Sequence, residues 1–129
     1  QQLTKVYQVS VIICEQTAAA LDGSVPLREL DTLRVRGRQR PERVFQVLTG
    51  DPAARSPALA DYGRGRDLLA RRRWKEAVAA FEAAVAADPA DRPSVLQLER
   101  ARVLARRPPP SDWDGVWGLA DVDDAADAA

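Results

Sequence analysis

Cys14 is the single thiol of a 129-residue chain that contains no histidine and no methionine. A thiol acts as a nucleophile when a base or a local positive field converts it to thiolate, and histidine is the usual base near neutral pH. Without one, Cys14 at the end of Val9-Ser10-Val11-Ile12-Ile13-Cys14 reads as a small buried hydrophobe. A lone cysteine also excludes a disulfide within the chain and a cysteine-cluster zinc site. Asp121, Asp123, Asp124 and Asp127 could attract a divalent ion, but a run of carboxylates among small residues reads first as a solvated tail. Arg71-Arg72-Arg73 could meet an anion, and the simpler expectation is a charged helix end, where cations complement the macrodipole. Trp113 and Trp117 could anchor a partner and are expected to bury against the chain's own helical pair.

The charge pattern narrows the partner classes. The chain carries 19 basic and 19 acidic side chains, distributed 7 to 5 over residues 1–50, 12 to 8 over 51–110, and none to 6 over 111–129. A mildly basic body with an acidic tail lacks the concentrated positive face that phosphate backbones require, so nucleic acid is not an expected partner. No run of 18 apolar residues is present, so no membrane contact by this segment is expected, and no signal peptide opens the sequence. Seventeen of the basic residues are arginine and alanine is abundant, as in GC-rich bacterial coding sequences. The chain opens on Gln1 and holds no methionine, so it is expected to be part of a longer protein.

Three segments must position these residues. Over 1–50, Gln1 to Tyr7 reads as the end of a helix. The apolar run to Cys14 reads as a strand, and Glu15 to Leu21 as a short helix stopped by Asp22-Gly23. Leu27-Arg28-Glu29-Leu30 and Thr32-Leu33-Arg34-Val35-Arg36 carry a partial period-2 pattern. With Val44-Phe45-Gln46-Val47-Leu48 across Gly37 to Glu42 they predict a β-hairpin. After a linker at 51–57, the segment 57–106 reads as helical. Ala77, Val78, Phe81, Ala84 and Val85 share one face, Asp88-Pro89 stops that helix, and Asp91 or Ser94 caps a third helix over 94–105. Arg106-Arg107-Pro108-Pro109-Pro110 then enforces an extended chain, so 107–119 is expected as a Pro/Trp tail packing on the body and 120–129 as an acidic disordered tail.

Gly65, Ala77, Phe81, Ala84 and Pro89 fall at intervals of 12, 4, 3 and 5, which resembles the 34-residue tetratricopeptide repeat. Small residues at 65, 77 and 84 let two helices approach, and Phe81 fills the groove between them. One helical pair cannot bury its own face, so the third helix is expected to cover one side and the tryptophan tail or the first segment the other.

Several stretches of the first segment resemble the end of a class III nucleotidyl cyclase catalytic domain. They are Leu3-Thr4-Lys5-Val6-Tyr7, Val11-Ile12-Ile13-Cys14-Glu15-Gln16-Thr17, Leu27-Arg28-Glu29-Leu30-Asp31, Val35-Arg36-Gly37-Arg38, Pro41 and Val44-Phe45-Gln46-Val47-Leu48. Cys14 stands at a usual serine, Gln8 at a usual glycine, and Arg36 and Arg38 at a usual lysine pair. The likeness continues through Tyr62 with Gly65, Trp74 with Ala77 and Phe81, Pro89 with Asp91, and Pro109-Pro110-Ser111-Asp112-Trp113-Asp114-Gly115-Val116. Bacterial cyclases of this class carry such an extension.

The resemblance implies an α+β fold: the truncated end of a ferredoxin-like cyclase domain, with short strands and a β-hairpin, followed by an α-helical hairpin of tetratricopeptide-like type. It implies that the complete protein makes a cyclic nucleotide and pyrophosphate from ATP or GTP. That protein would be a homodimer with Mg²⁺ or Mn²⁺ held by an Asp pair. That pair, and the Asn and Arg that stabilise the transition state, would precede Gln1, so no catalytic residue and no metal ligand is expected in this segment. Arg36 is the one site residue that carries over, as a phosphate contact. The alternative is a solvated basic hairpin tip. A cytoplasmic location is expected, any membrane anchor of the complete protein lying upstream of this segment. The rival reading of the whole chain is a non-catalytic tetratricopeptide-like interaction module, and a weaker third is a degenerate cyclase-like domain that binds nucleotide as a regulator.

Overall fold

A computed structural model of the chain describes residues 3–34 and 40–118. The fold is mixed α and β, with a four-stranded sheet and five α-helices among the described residues. It divides into two compact units, one formed by 1–52 together with 114–129, the other by 53–113. Arg36 and the acidic run Asp121, Asp123, Asp124 and Asp127 lie outside the described residues.

The first unit opens with α1 (Leu3–Tyr7), which buries Val6 and Tyr7. Strand β1 spans only Ile12–Cys14, shorter than its apolar run suggests. The reason is local. Gln8 takes a left-handed backbone (φ 53°) and the Val9 amide bonds back to the Thr4 carbonyl at 3.2 Å, so the chain leaves α1 through residues 8–10, and the Val11 carbonyl then accepts the Val47 amide at 3.0 Å. Helix α2 (Glu15–Leu21) ends at Asp22, whose left-handed backbone (φ 49°) directs its amide to the Ala19 carbonyl at 3.1 Å. Left-handed backbone is the usual helix stop, and Asp tolerates it better than most side chains.

Strands β2 (Leu27–Arg34) and β3 (Glu42–Val47) form the expected antiparallel pair. β2 is one continuous strand interrupted by a bulge, because Glu29 faces Phe45 while Asp31 faces Val44. The bulge resets the alternation of faces. Arg28 and Leu30 are buried before it, Asp31 and Leu33 after it. That shift explains why the period-2 pattern is only partial. β1 pairs antiparallel with β3, and β4 (Trp117–Gly118) pairs parallel with β2 through Leu33 and Arg34, giving the order β1-β3-β2-β4.

A 3₁₀ turn, Pro52–Ala54, runs across the division in sequence, and the second unit contains α3 (Leu59–Ala70), α4 (Trp74–Ala87) and α5 (Arg92–Arg106). Alanine-rich α4 has high intrinsic helix propensity. Its buried Ala77, Phe81 and Ala84 meet Ala58 and Tyr62 on one side and Leu98 and Ala101 on the other. Tyr62 and Phe81 pack edge to face with centroids 5.9 Å apart. Gly65 is required by close approach, since a Cβ there would lie 2.5 Å from a ring carbon of Phe81. Ser56 ties the start of α3 to the end of α4: its hydroxyl accepts from the Ala58 amide at 3.1 Å and donates to Asp88 at 2.6 Å. Asp91 is the N-cap of α5, but its carboxylate accepts the Ser94 hydroxyl at 2.5 Å instead of capping a backbone amide.

Candidate functional site

The β2–β3 connection is where the sequence places its phosphate contact, and the described residues on either side define its base. β2 ends at Arg34, whose guanidinium donates to the Asp114 carboxylate at 3.0 Å. Asp114 also accepts the Val116 amide at 3.0 Å, an Asx turn that, with Gly115 in left-handed backbone (φ 78°), delivers Trp117 to the edge of β2. On the β3 side, Arg43 is held by both oxygens of Glu29 at 3.1 Å and by Glu15 at 3.4 Å, with its guanidinium 5.1 Å from the centre of the Phe45 ring. The Glu29 hydrogen bond raises the Arg43 pKa further above its ordinary value, against the opposing effect of burial. Arg43 is therefore committed to fixing the sheet surface.

Beneath this edge the unit buries polar groups in pairs. The Tyr7 hydroxyl donates to the fully buried Asp31 carboxylate. Arg28, only 6% exposed, sends two guanidinium donors to the Gln46 side-chain oxygen at 2.9 and 2.6 Å. Buried charge persists only when hydrogen-bonded, and these pairs join α1 to β2 and β2 to β3. The sequence gives a signal for them in Arg28 and Asp31 within a strand-like pattern, but the bulge hides which face they occupy.

Cys14 differs from its expected place in a core. It is half-buried and takes the N-cap position of α2, with Sγ 3.4 Å from the Thr17 hydroxyl. The Thr17 side-chain hydrogen bond, followed by the Thr17 amide, lowers the thiol pKa below its ordinary value. The physical reason is position: the last residue of an edge strand starts a helix, and a small polarizable group fits there.

The arginine triplet is divided among three partners. Arg71 pairs with Asp67 at 3.4 Å and Arg73 with Glu76 at 3.3 Å. Arg72 donates to the Pro109 and Pro110 carbonyls at 2.8 and 3.0 Å and lies 5.1 Å from the centre of the Trp74 ring. Trp113 packs on Trp74 with centroids 6.4 Å apart. Thus Pro109 to Trp113 is clamped within the helical unit, while Trp117 serves the sheet. Trp117 was expected on the helical pair, and the turn at Asp114-Gly115 sends it to β2 instead.

Among the described residues, no group of three or more His, Cys, Asp or Glu side chains could hold a metal ion, and no helix is long and apolar enough to cross a membrane. No family model matches the sequence, and no solved structure matches it significantly. The chain is 26% identical, over an alignment of 107 positions that covers 78% of its length, to the terminal-differentiation specific adenylate cyclase of Dictyostelium discoideum. It spans 5% of that protein's length. The likeness supports a cyclase-related segment.

Proposed function

We propose that this chain is the end of a class III nucleotidyl cyclase catalytic domain followed by a tetratricopeptide-like extension, in a bacterial, cytoplasmic protein. The complete protein, a homodimer, converts ATP or GTP to a cyclic nucleotide and pyrophosphate with Mg²⁺ or Mn²⁺. On this reading the Asp pair that holds the metals, and with it the chemical step, lies in a part of the protein that precedes Gln1, and this segment by itself is inactive. The observation that carries the reading is the likeness to an adenylate cyclase over 78% of the chain. Gln8 adds support: the resemblance places glycine there, and the backbone is left-handed, as a glycine would readily adopt.

The role of this segment is to complete the sheet beside the catalytic groups and to present Arg36 on the β2–β3 connection, where its forked donors contact triphosphate oxygens. The test is a cyclase assay on the protein that carries this chain, with ATP and GTP and with either metal. Cyclic nucleotide formation is expected, and its absence under all four conditions overturns the reading. In that protein Arg36→Ala should raise the KM for the triphosphate by about tenfold. An unchanged KM removes Arg36 from the site.

A further inference from the structure

The helical unit has a cationic groove that none of the interactions above uses. It lies between α4 and α5, has a volume of about 260 Å³, and is lined by Lys75, Val78, Arg102, Ala105 and Arg106. Half-buried Val78 and Ala105 form an apolar floor, and the exposed Lys75, Arg102 and Arg106 form a cationic rim. Arg102 reaches Glu82 on α4 at a long 3.4 Å, with both side chains about half exposed, a contact easily exchanged for another carboxylate. Lys75 and Arg106 form no ion pair among the described residues. Like charges gathered on an apolar floor favour an occupant that is acidic and carries a small aliphatic group.

The chain contains such a segment beyond its last described residue. Residues 119–129 hold four aspartates and no basic side chain, with Val122 set between Asp121 and Asp123. We propose that the groove of one copy receives the acidic segment 119–129 of a second copy. The aspartates of the segment are opposite in charge to Lys75, Arg102 and Arg106, and Val122 matches the apolar character of the Val78 and Ala105 floor. Reciprocal exchange of the segment between two copies makes the same contact twice, closing a two-fold dimer and raising its affinity above that of either contact alone. The contact is electrostatic and rim-exposed, so it weakens steeply with salt.

Sedimentation equilibrium of the 129-residue chain tests this at about 20 mM and about 500 mM salt. A concentration-dependent dimer is expected at low salt, weakened by about tenfold or more at high salt. The variant Lys75→Glu/Arg106→Glu and the variant Asp121→Asn/Asp123→Asn/Asp124→Asn should each be monomeric with unchanged circular dichroism. An equimolar mixture of the two should associate, because one variant keeps the segment and the other keeps the groove. A monomer under every condition, including one whose segment occupies its own groove, overturns the proposal. So does a dimer that both variants leave intact.

Discussion

Two glycines in α3 make opposite demands on the same helix. At Gly65 an added methyl would sit 2.5–2.8 Å from three carbons of the Phe81 ring, which Tyr62, Ala77 and Ala84 hold in place. At Gly63 it would meet nothing within 4 Å. Gly65→Ala should therefore destabilise by about 1–3 kcal/mol through overpacking. Gly63→Ala should stabilise by about 0.5–1 kcal/mol through helix propensity. Urea denaturation of both variants checks the pair, and equal signs would show that the Phe81 ring can move aside. The spacing of Gly65, Ala77, Phe81 and Ala84 makes this contact readable from sequence, because close helix packing leaves only small residues opposite a ring. The candidate site is less readable at this scale. Arg36 is chosen by resemblance alone, and Cys14 is given the right strand end but the wrong burial, because the last side chain of an edge strand that opens a helix stays half-exposed.

The turn between α3 and α4 shows how an element boundary acquires a second task. The Arg73 amide bonds to the Leu68 carbonyl and the Arg72 amide to the Leu69 carbonyl, both at 3.0 Å, which is the Schellman arrangement. Its left-handed position is usually glycine, yet here it is Arg72 (φ 61°). The backbone cost, roughly 1–2 kcal/mol, is offset by the side chain's contacts to Trp74 and to the Pro109 and Pro110 carbonyls. Arg72→Gly removes cost and contacts together, so global stability should change by less than about 1 kcal/mol. The tail should nevertheless loosen, giving faster amide exchange around Trp113. Unchanged exchange would show that the Trp74–Trp113 contact holds the tail without help. The period-3.6 pattern and the Asp88-Pro89 stop make α4 and α5 legible, and Asp22-Gly23 does the same for α2. β4 is not legible, since two residues carry no periodicity and their parallel partner is remote. The bulge at Leu30 defeats the alternation in β2 for the opposite reason: the pattern is present but changes phase.

At the scale of the molecule, one unit is continuous in sequence and the other is interrupted by it. Truncation after Trp113 leaves 53–113 whole but strips β4 and Asp114 from the sheet unit. Amide exchange along β2 from Leu33 onward should then rise, and an uncovered strand edge should promote self-association. The Arg34–Asp114 pair contributes little to this, because both side chains are more than half exposed and such pairs supply about 0–1 kcal/mol. Asp114→Ala should accordingly mimic the truncation only weakly. Exchange measured by mass spectrometry on both forms separates the loss of the strand from the loss of the ion pair. Charge distribution along the sequence reveals the acidic segment but not this interleaving, because pairing partners 80 positions apart leave no local trace.

The same interleaving orders events on the ribosome. The three helices close through contacts between neighbours in sequence, so they can assemble as they emerge. β2 must wait for Trp117, and at roughly 5–20 residues per second the interval is some seconds. Throughout it the strand presents unsatisfied backbone groups to whatever is near. Nascent chains of this protein should thus depend on holding factors for the sheet edge, whereas the helical unit should not.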